Sequence, residues 1–320
     1  MIRYTIERII LIFVTVLIVV TINFFLLRLM PGSPFANPKI TQAQIEMMEA
    51  KYGLDDPSYV QYFRYIKNLI VKQDLGVSLK MQDQPVSKLV KMKLPHTVKI
   101  GTIALIFGVI VGIFLGAIAA IYRNSFWDNL VTILAVIGVS IPNFVLAAFL
   151  QYFFCTKLGW FPYIYNPVDA LRKISTWDSL YSSLLPALSL SLYVTSSTMR
   201  YMRSELVEVL SSDYILLARA KGFSKPKVIF RHALRNALIP VITIVGPMAV
   251  NILTGGVIVE QFFGVPGLGK LLVNGIFSND YFVILGVNLI LSFLYISIIL
   301  VVDLLYGVID PRIRLKGGGV

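Results

Sequence analysis

Apolar residues fall in long blocks along this chain, and polar residues gather between them. Six blocks stand out, at residues 9–30, 98–122, 130–154, 184–202, 238–259 and 282–306. About 20 mostly apolar residues are needed for a helix to cross the hydrocarbon core of a bilayer. Each block therefore predicts one transmembrane helix, and the chain reads as an all-α integral membrane protein with six of them. The fourth block is interrupted by Ser189, Ser191, Thr195, Ser196 and Ser197. Such hydroxyls return hydrogen bonds to their own helix, and they predict a helix that faces other helices rather than lipid. Pro142 and Pro186 predict kinks.

The polar segments are uneven. Residues 31–97 form a long segment with two amphipathic, aromatic-bearing stretches, and residues 261–281 are rich in glycine. This gives an N-terminal helix at 1–30, an external segment at 31–97 and a five-helix core at 98–320. Lysines and arginines near helix ends set orientation. Arg3 and Arg8 at one end and Arg312, Arg314 and Lys316 at the other place both termini in the cytoplasm. The same count puts the basic loop at about 203–237 inside. Lys88, Lys91, Lys93 and Lys99 disagree, but they follow a loop longer than about 60 residues, where the charge rule loses force.

Composition supports this reading. Of 320 residues 57% are hydrophobic and 14% charged, with a net charge of +12. The basic residues lie between apolar blocks, which points to membrane topology and anionic lipid and argues against nucleic acid. Cys155 is the single cysteine, and His96 and His232 are far apart, so no metal motif or disulfide framework is indicated. The first block is longer than a signal-peptide core of about 7–15 residues and lacks an A-x-A site, so it reads as a retained helix. No nucleophile–base pair or paired carboxylates suggest an enzyme. The run Gly264–Lys270 nearly spells a phosphate-binding loop, but Leu271 stands where a magnesium-holding Ser or Thr belongs.

The inside loop carries the most information. Ser212 or Asp213 can cap a helix beginning near Tyr214, Gly222 can end it, and Ser224 can cap the next, with Pro226 in its first turn. The result is a two-turn helix across the membrane surface. Ala218, Ala220 and Gly222 are small enough for close approach by another protein, Tyr214, Leu217 and Phe223 offer apolar knobs, and Arg219 and Lys221 offer charge. A basic helix resting on anionic lipid has the same composition.

Residues 218–222 (Ala-Arg-Ala-Lys-Gly) and 231–240 (Arg-His-Ala-Leu-Arg-Asn-Ala-Leu-Ile-Pro) resemble the "EAA" loop of permease subunits in binding-protein-dependent ABC importers. More narrowly, they are similar to the dipeptide/oligopeptide/nickel permease family. Residues 26–34, 256–269 and 310–314 resemble that family's first-helix exit, fifth-helix exit and C-terminal tail. Two departures stand out. Leu216 and Leu217 replace the Glu-Ala opening, and Arg235 falls about where the general motif has its proline, with Pro240 later.

The resemblance implies a type I ABC importer permease fold in which residues 214–223 are a cytoplasmic coupling helix. It implies a second homologous permease, two cytoplasmic ATPase subunits that bind ATP and magnesium, and an external peptide-binding protein, in a prokaryotic cell membrane. This chain would then hold no cofactor and no ATPase site of its own. Asn143, Gln151, Asn251 and Thr254 within the blocks, and Glu260 at the outer end of the fifth, are candidate pathway or gate residues. Asp303 near the inner end of the sixth is a further ionisable position. Ionisable groups in a span are costly and often functional, though hydrogen bonding between helices explains polar ones equally well. An ion-gradient-driven transporter, a non-transporting scaffold and a nickel permease remain the alternatives.

Overall fold

A computed structural model describes residues 2–29, 34–35, 41–169 and 173–309, with side chains left undescribed at 2–9, 253–255 and 303–309. Residues 30–33 and the 310–314 motif therefore lie outside the described residues, as do the side chains of Arg3, Arg8, Thr254 and Asp303.

Twelve α-helical segments are described: α1 (Ile2–Arg28), α2 (Gln42–Tyr52), α3 (Ser58–Lys72), α4 (Val86–Ile121), α5 (Phe126–Ser140), α6 (Asn143–Leu150), α7 (Thr176–Leu210), α8 (Asp213–Ala220), α9 (Lys225–Lys227), α10 (Leu234–Phe262), α11 (Leu268–Ser278) and α12 (Tyr281–Ile309). Two π-helical turns, Gln151–Lys157 and Val228–Ala233, continue α6 and lead into α10. Four helices are long and apolar enough to span a bilayer, at Ile10–Arg28, Val86–Ile121, Lys225–Ile252 and Tyr281–Val302.

The third block differs from its expectation. It is two helices, α5 and α6, whose axes turn by 102° at a short break. Pro142 is the cause. It lacks an N–H and excludes the helical conformation at Ile141, which is extended at φ −82°, ψ 120°. Counting this pair as one span gives five. The fourth block is α7, a 35-residue helix that continues through Pro186 and, being rich in serine and threonine, is not among the helices apolar enough to count as a span by composition.

The chain divides into two compact units, Met1–His96 with Pro266–Ser297, and Thr97–Val265 with Ile298–Val320. In the second unit α7 is the hub. Ser189, Ser191, Thr195, Ser196 and Ser197 are all buried, as a helix facing helices requires. α4 meets α7 along Gly108, Gly112 and Gly116, spaced by four so that they share one face. A Cβ at Gly112 would sit 2.5 Å from Thr198 Cβ and 2.8 Å from the Thr195 carbonyl; at Gly116 it would sit 2.6 Å from the Met199 carbonyl. Lipid tails are as apolar as leucine, so close packing rather than apolar burial drives such contacts.

Asp128 in the first turn of α5 ties down α7. Its carboxylate accepts two hydrogen bonds from Arg203, from Nε and, at 2.8 Å, from Nη2, and one from the Asn124 N–H at 2.9 Å. Asp128 is buried while Arg203 is about one-third exposed, so the pair contributes less than a fully buried one. Asp128→Ala is expected to lower stability by about 2 kcal/mol, by stranding the guanidinium. A thermal-unfolding midpoint unchanged in detergent would contradict this.

In the first unit Asp280 sits just before α12 and is buried. Its carboxylate accepts from the Ser78 hydroxyl and, at 3.1 Å, from the Leu79 N–H. That brace holds the 73–86 segment against Leu268, Leu271, Val283 and Val287. The glycine-rich 261–281 stretch contains a regular helix, α11, which begins at Leu268 with Leu268 and Leu271 buried.

Candidate functional site

Two places in the second unit gather the residues singled out in the sequence. The first is the loop after α7. Ser212 takes the N-cap position of α8 in extended conformation, but its hydroxyl bonds back to the Val209 carbonyl at 2.6 Å. Gly222 follows α8 with φ +79°, a left-handed conformation that glycine adopts without strain. Ser224 then takes the N-cap position of α9 in extended conformation, without a capping bond from its hydroxyl, and Pro226 lies in the first turn.

One face of α8 is fixed to the protein. Ile215 and Ala218 are buried against Met202, Leu206, Val228 and Ala233. Ala218, expected on the docking surface, is therefore part of the core, because residues three apart on a helix share a face. Phe223 is half-buried. Its ring stacks on His232 at 5.5 Å, and the Lys227 ammonium lies 4.4 Å above it. It is a packing residue rather than a projecting knob. Tyr214 is exposed, with its hydroxyl held by the Asn236 amide at 2.9 Å.

The surface left open is formed by Tyr214, Leu216, Leu217, Arg219, Ala220, Lys221 and Gly222. Leu216 is 66% exposed and Leu217 56%. Leu216 replaces the family's glutamate, so this departure makes the exposed surface more apolar. A Cβ at Gly222 would meet nothing within 4 Å.

The second place is a cavity of about 320 Å³ at the break between α5 and α6. Its lining includes Ile141, Pro142, Asn143, Leu190, Tyr193 and Asn251. Asn143 and Asn251 are thus brought together from sequence positions more than a hundred residues apart, and the break at Pro142 opens the space. Tyr193 is the residue that sequence reasoning missed. Its signal was available: it is the one aromatic residue in the serine- and threonine-rich run 189–198.

Gln151 and Glu260 lie elsewhere. Gln151 is buried, and its amide donates to the carbonyls of Tyr163 and Phe262, both at 3.0 Å. It staples the 158–166 segment to the end of α10 and does not line the cavity. Glu260 is buried and accepts a 2.6 Å hydrogen bond from Thr97. Leu190 and Ile252 separate this pair from the cavity, since they line both places. Thr254 lies on α10, with its side chain outside the described residues.

The fold is that of an all-α, multi-pass membrane protein of the type I ABC importer permease kind. A solved structure of the MetNI methionine ABC transporter in inward-facing conformations superposes with a TM-score of 0.55 at 15% identity, covering 70% of this chain and 97% of that one. An amino acid ABC transporter structure gives 0.50 at 15% identity, covering 71% and 94%. At that identity the likeness speaks for the fold alone.

The chain belongs to the family of binding-protein-dependent transport system inner membrane components, whose sequence pattern matches residues 112–315. The pattern of that family's N-terminal region matches residues 1–101. The dipeptide transport system permease protein DppB of Bacillus subtilis is 40% identical over all of both chains. DppB of Lactococcus lactis is 38% identical over 98% of this chain and 100% of its own length. The oligopeptide transport system permease protein OppB of Salmonella typhimurium is 39% identical over 98% and 100%.

Proposed function

We propose that this chain is a transmembrane permease subunit of an ATP-driven importer of dipeptides or oligopeptides, forming half of the translocation pathway. The observation that carries this reading is the end-to-end identity of 38–40% to dipeptide and oligopeptide permeases. In this reading the second half of the pathway comes from a homologous permease. Two cytoplasmic ATPase subunits bind the ATP and magnesium, and an external peptide-binding protein delivers cargo. Both termini then lie in the cytoplasm of a prokaryotic cell.

The open face of α8 is the surface offered to an ATPase subunit. Leu216 and Leu217 supply apolar contact, and Arg219 and Lys221 supply charge. Closure of the ATPase pair on ATP would move α8 as a rigid element, because Ile215 and Ala218 anchor it to the end of α7 and the start of α10. Uptake that survives ATP depletion and collapses with an uncoupler would instead establish a gradient-driven transporter.

The cavity suits a peptide backbone. Among the described residues its lining holds two amides and a phenol but no charged side chain. Such groups donate and accept hydrogen bonds with any peptide bond and leave side-chain choice to another component. Replacing both Asn143 and Asn251 by Leu is expected to cut peptide uptake about thirtyfold with the complex still assembled, from two lost hydrogen bonds of about 1 kcal/mol each. Uptake unchanged in reconstituted vesicles would remove this cavity from the pathway.

A further inference from the structure

The first unit contains a second cavity, of about 190 Å³, that the transport reading does not use. Arg28, Gln61, Arg64, Tyr65, Asn68 and Asp74 are polar residues of its lining, together with Tyr52, whose hydroxyl is already bonded to Asp83. Gln61 and Tyr65 are both more than nine-tenths buried. The Gln61 amide nitrogen donates to the carbonyls of Leu54 and Asp56, at 2.9 and 2.6 Å. That fixes the amide's orientation and leaves its Oε1, a buried acceptor, without a partner. The Tyr65 hydroxyl is likewise buried and unpartnered. Burial, and then the nearby Asp74 carboxylate, hold the phenol well above its usual range, so it keeps its proton to donate. Leaving such groups unpaired is costly, and the cavity beside them is where an occupant would pair with them.

The charges around them are of both signs. The Arg28 guanidinium lies over the rings of Phe24 and Tyr281, at 5.0 and 5.2 Å, and no carboxylate pairs with it among the described residues. Contacts with ring faces do not consume its N–H donors, which stay available to meet an oxyanion. Arg64 is already paired with Asp56. Asp74 accepts one hydrogen bond, from the Gly76 N–H at 2.9 Å, and has no cationic partner among the described residues. A wall with one open cation, one open carboxylate, a buried acceptor and a buried hydroxyl calls for an occupant with both an oxyanion and an N–H-bearing cation.

The depth of the cavity says where that occupant comes from. Arg28 is the last residue of one span and Tyr281, whose ring covers it, is the first of another. The ends of apolar spans belong at the level where hydrocarbon gives way to headgroups. α3, which supplies Gln61, Arg64 and Tyr65, exposes Tyr59, Phe63, Ile70 and Val71. Spacings of four and seven put Tyr59, Phe63 and Ile70 on one face, with Val71 beside it, the pattern of a helix lying in the interface. We propose that this cavity binds the phosphoethanolamine headgroup of a membrane phospholipid, with the phosphate on Arg28 and the ammonium on Asp74 and Gln61 Oε1. A trimethylammonium has no N–H to give Gln61, and a glycerol headgroup carries no cation for Asp74.

The test is native mass spectrometry of the full chain released from nanodiscs holding equal parts phosphatidylethanolamine, phosphatidylcholine and phosphatidylglycerol. Phosphatidylethanolamine should be retained about tenfold over the other two, and retention should fall as methyl groups are added to its ammonium. The methylation series uses the unaltered chain, so it stands even where a variant fails to fold. Asp74→Asn keeps the acceptor for Gly76 and should bring phosphatidylethanolamine down to the level of phosphatidylcholine. Arg28→Gln should release all three. Equal retention of phosphatidylglycerol and phosphatidylethanolamine would overturn the proposal in favour of a phosphate-only contact. No preference among the three lipids would overturn it in favour of a cavity filled by water. Displacement of the lipid by soluble phosphoethanolamine or a dipeptide at equal concentration would overturn the lipid source.

Discussion

Gly222→Asp is expected to reduce ATP-dependent peptide uptake at least tenfold while leaving the chain folded. The two effects separate for a structural reason. A Cβ at Gly222 meets no atom within 4 Å, so the substitution creates no clash in this chain. Its remaining cost is the left-handed backbone at φ +79°, about 1 kcal/mol for an L-residue and least for Asp and Asn. The side chain projects from the exposed end of α8, where a docked ATPase subunit would have to approach. A carboxylate trapped in that contact without a partner costs several kcal/mol, enough for the tenfold loss. Reconstituted complexes carrying the variant should show lost uptake, through lost ATPase association or a complex that assembles but no longer transports. Normal uptake with normal association would return α8 to the reading of a basic helix resting on anionic lipid.

Gly112→Leu should act on the fold itself. Its Cβ would fall 2.5 Å from Thr198 Cβ and 2.8 Å from the Thr195 carbonyl. The second neighbour is backbone of α7 and cannot turn aside. α4 must then separate from α7, at a cost at or above about 3 kcal/mol, the upper end for overpacking. The chain should lose its monodisperse peak on size-exclusion chromatography and its thermal transition. Gly256→Ala is the control, because its Cβ meets only Leu190 Cδ1, at 4.0 Å. If Gly112→Leu behaved like that control, the α4–α7 contact described above would be wrong.

Much of this was legible in the sequence because membrane helices announce themselves by length and apolarity. The Ser/Thr-rich run of α7 also gave away its burial, since hydroxyls that satisfy themselves within a helix are tolerated between helices. The break at Pro142 was read as a kink when it is a turn of 102°. Sequence marks where a helix must yield, but neighbouring packing decides the angle. The candidate polar residues divided for a similar reason. Asn143 and Asn251 meet at a cavity, whereas Gln151 spends its amide on two backbone carbonyls. Nothing in the local sequence of an amide distinguishes those fates. At α8 the helix and its glycine stop were readable, but which face was buried was not. Ile215 and Ala218 face inwards only because Met202, Leu206 and Val228 are there to receive them.

The length of α7 has a mechanical consequence. Its 35 residues make a rod about 52 Å long, capped by Ser175 at one end and joined to α8 at the other. Tyr193 lies at its midpoint. If such a rod pivots near its middle, a tilt of about 10° sweeps each end through roughly 5 Å, about one helical pitch, while the midpoint hardly translates. Leverage of this kind would let the α8 end travel far with the cavity wall at Tyr193 mainly turning in place.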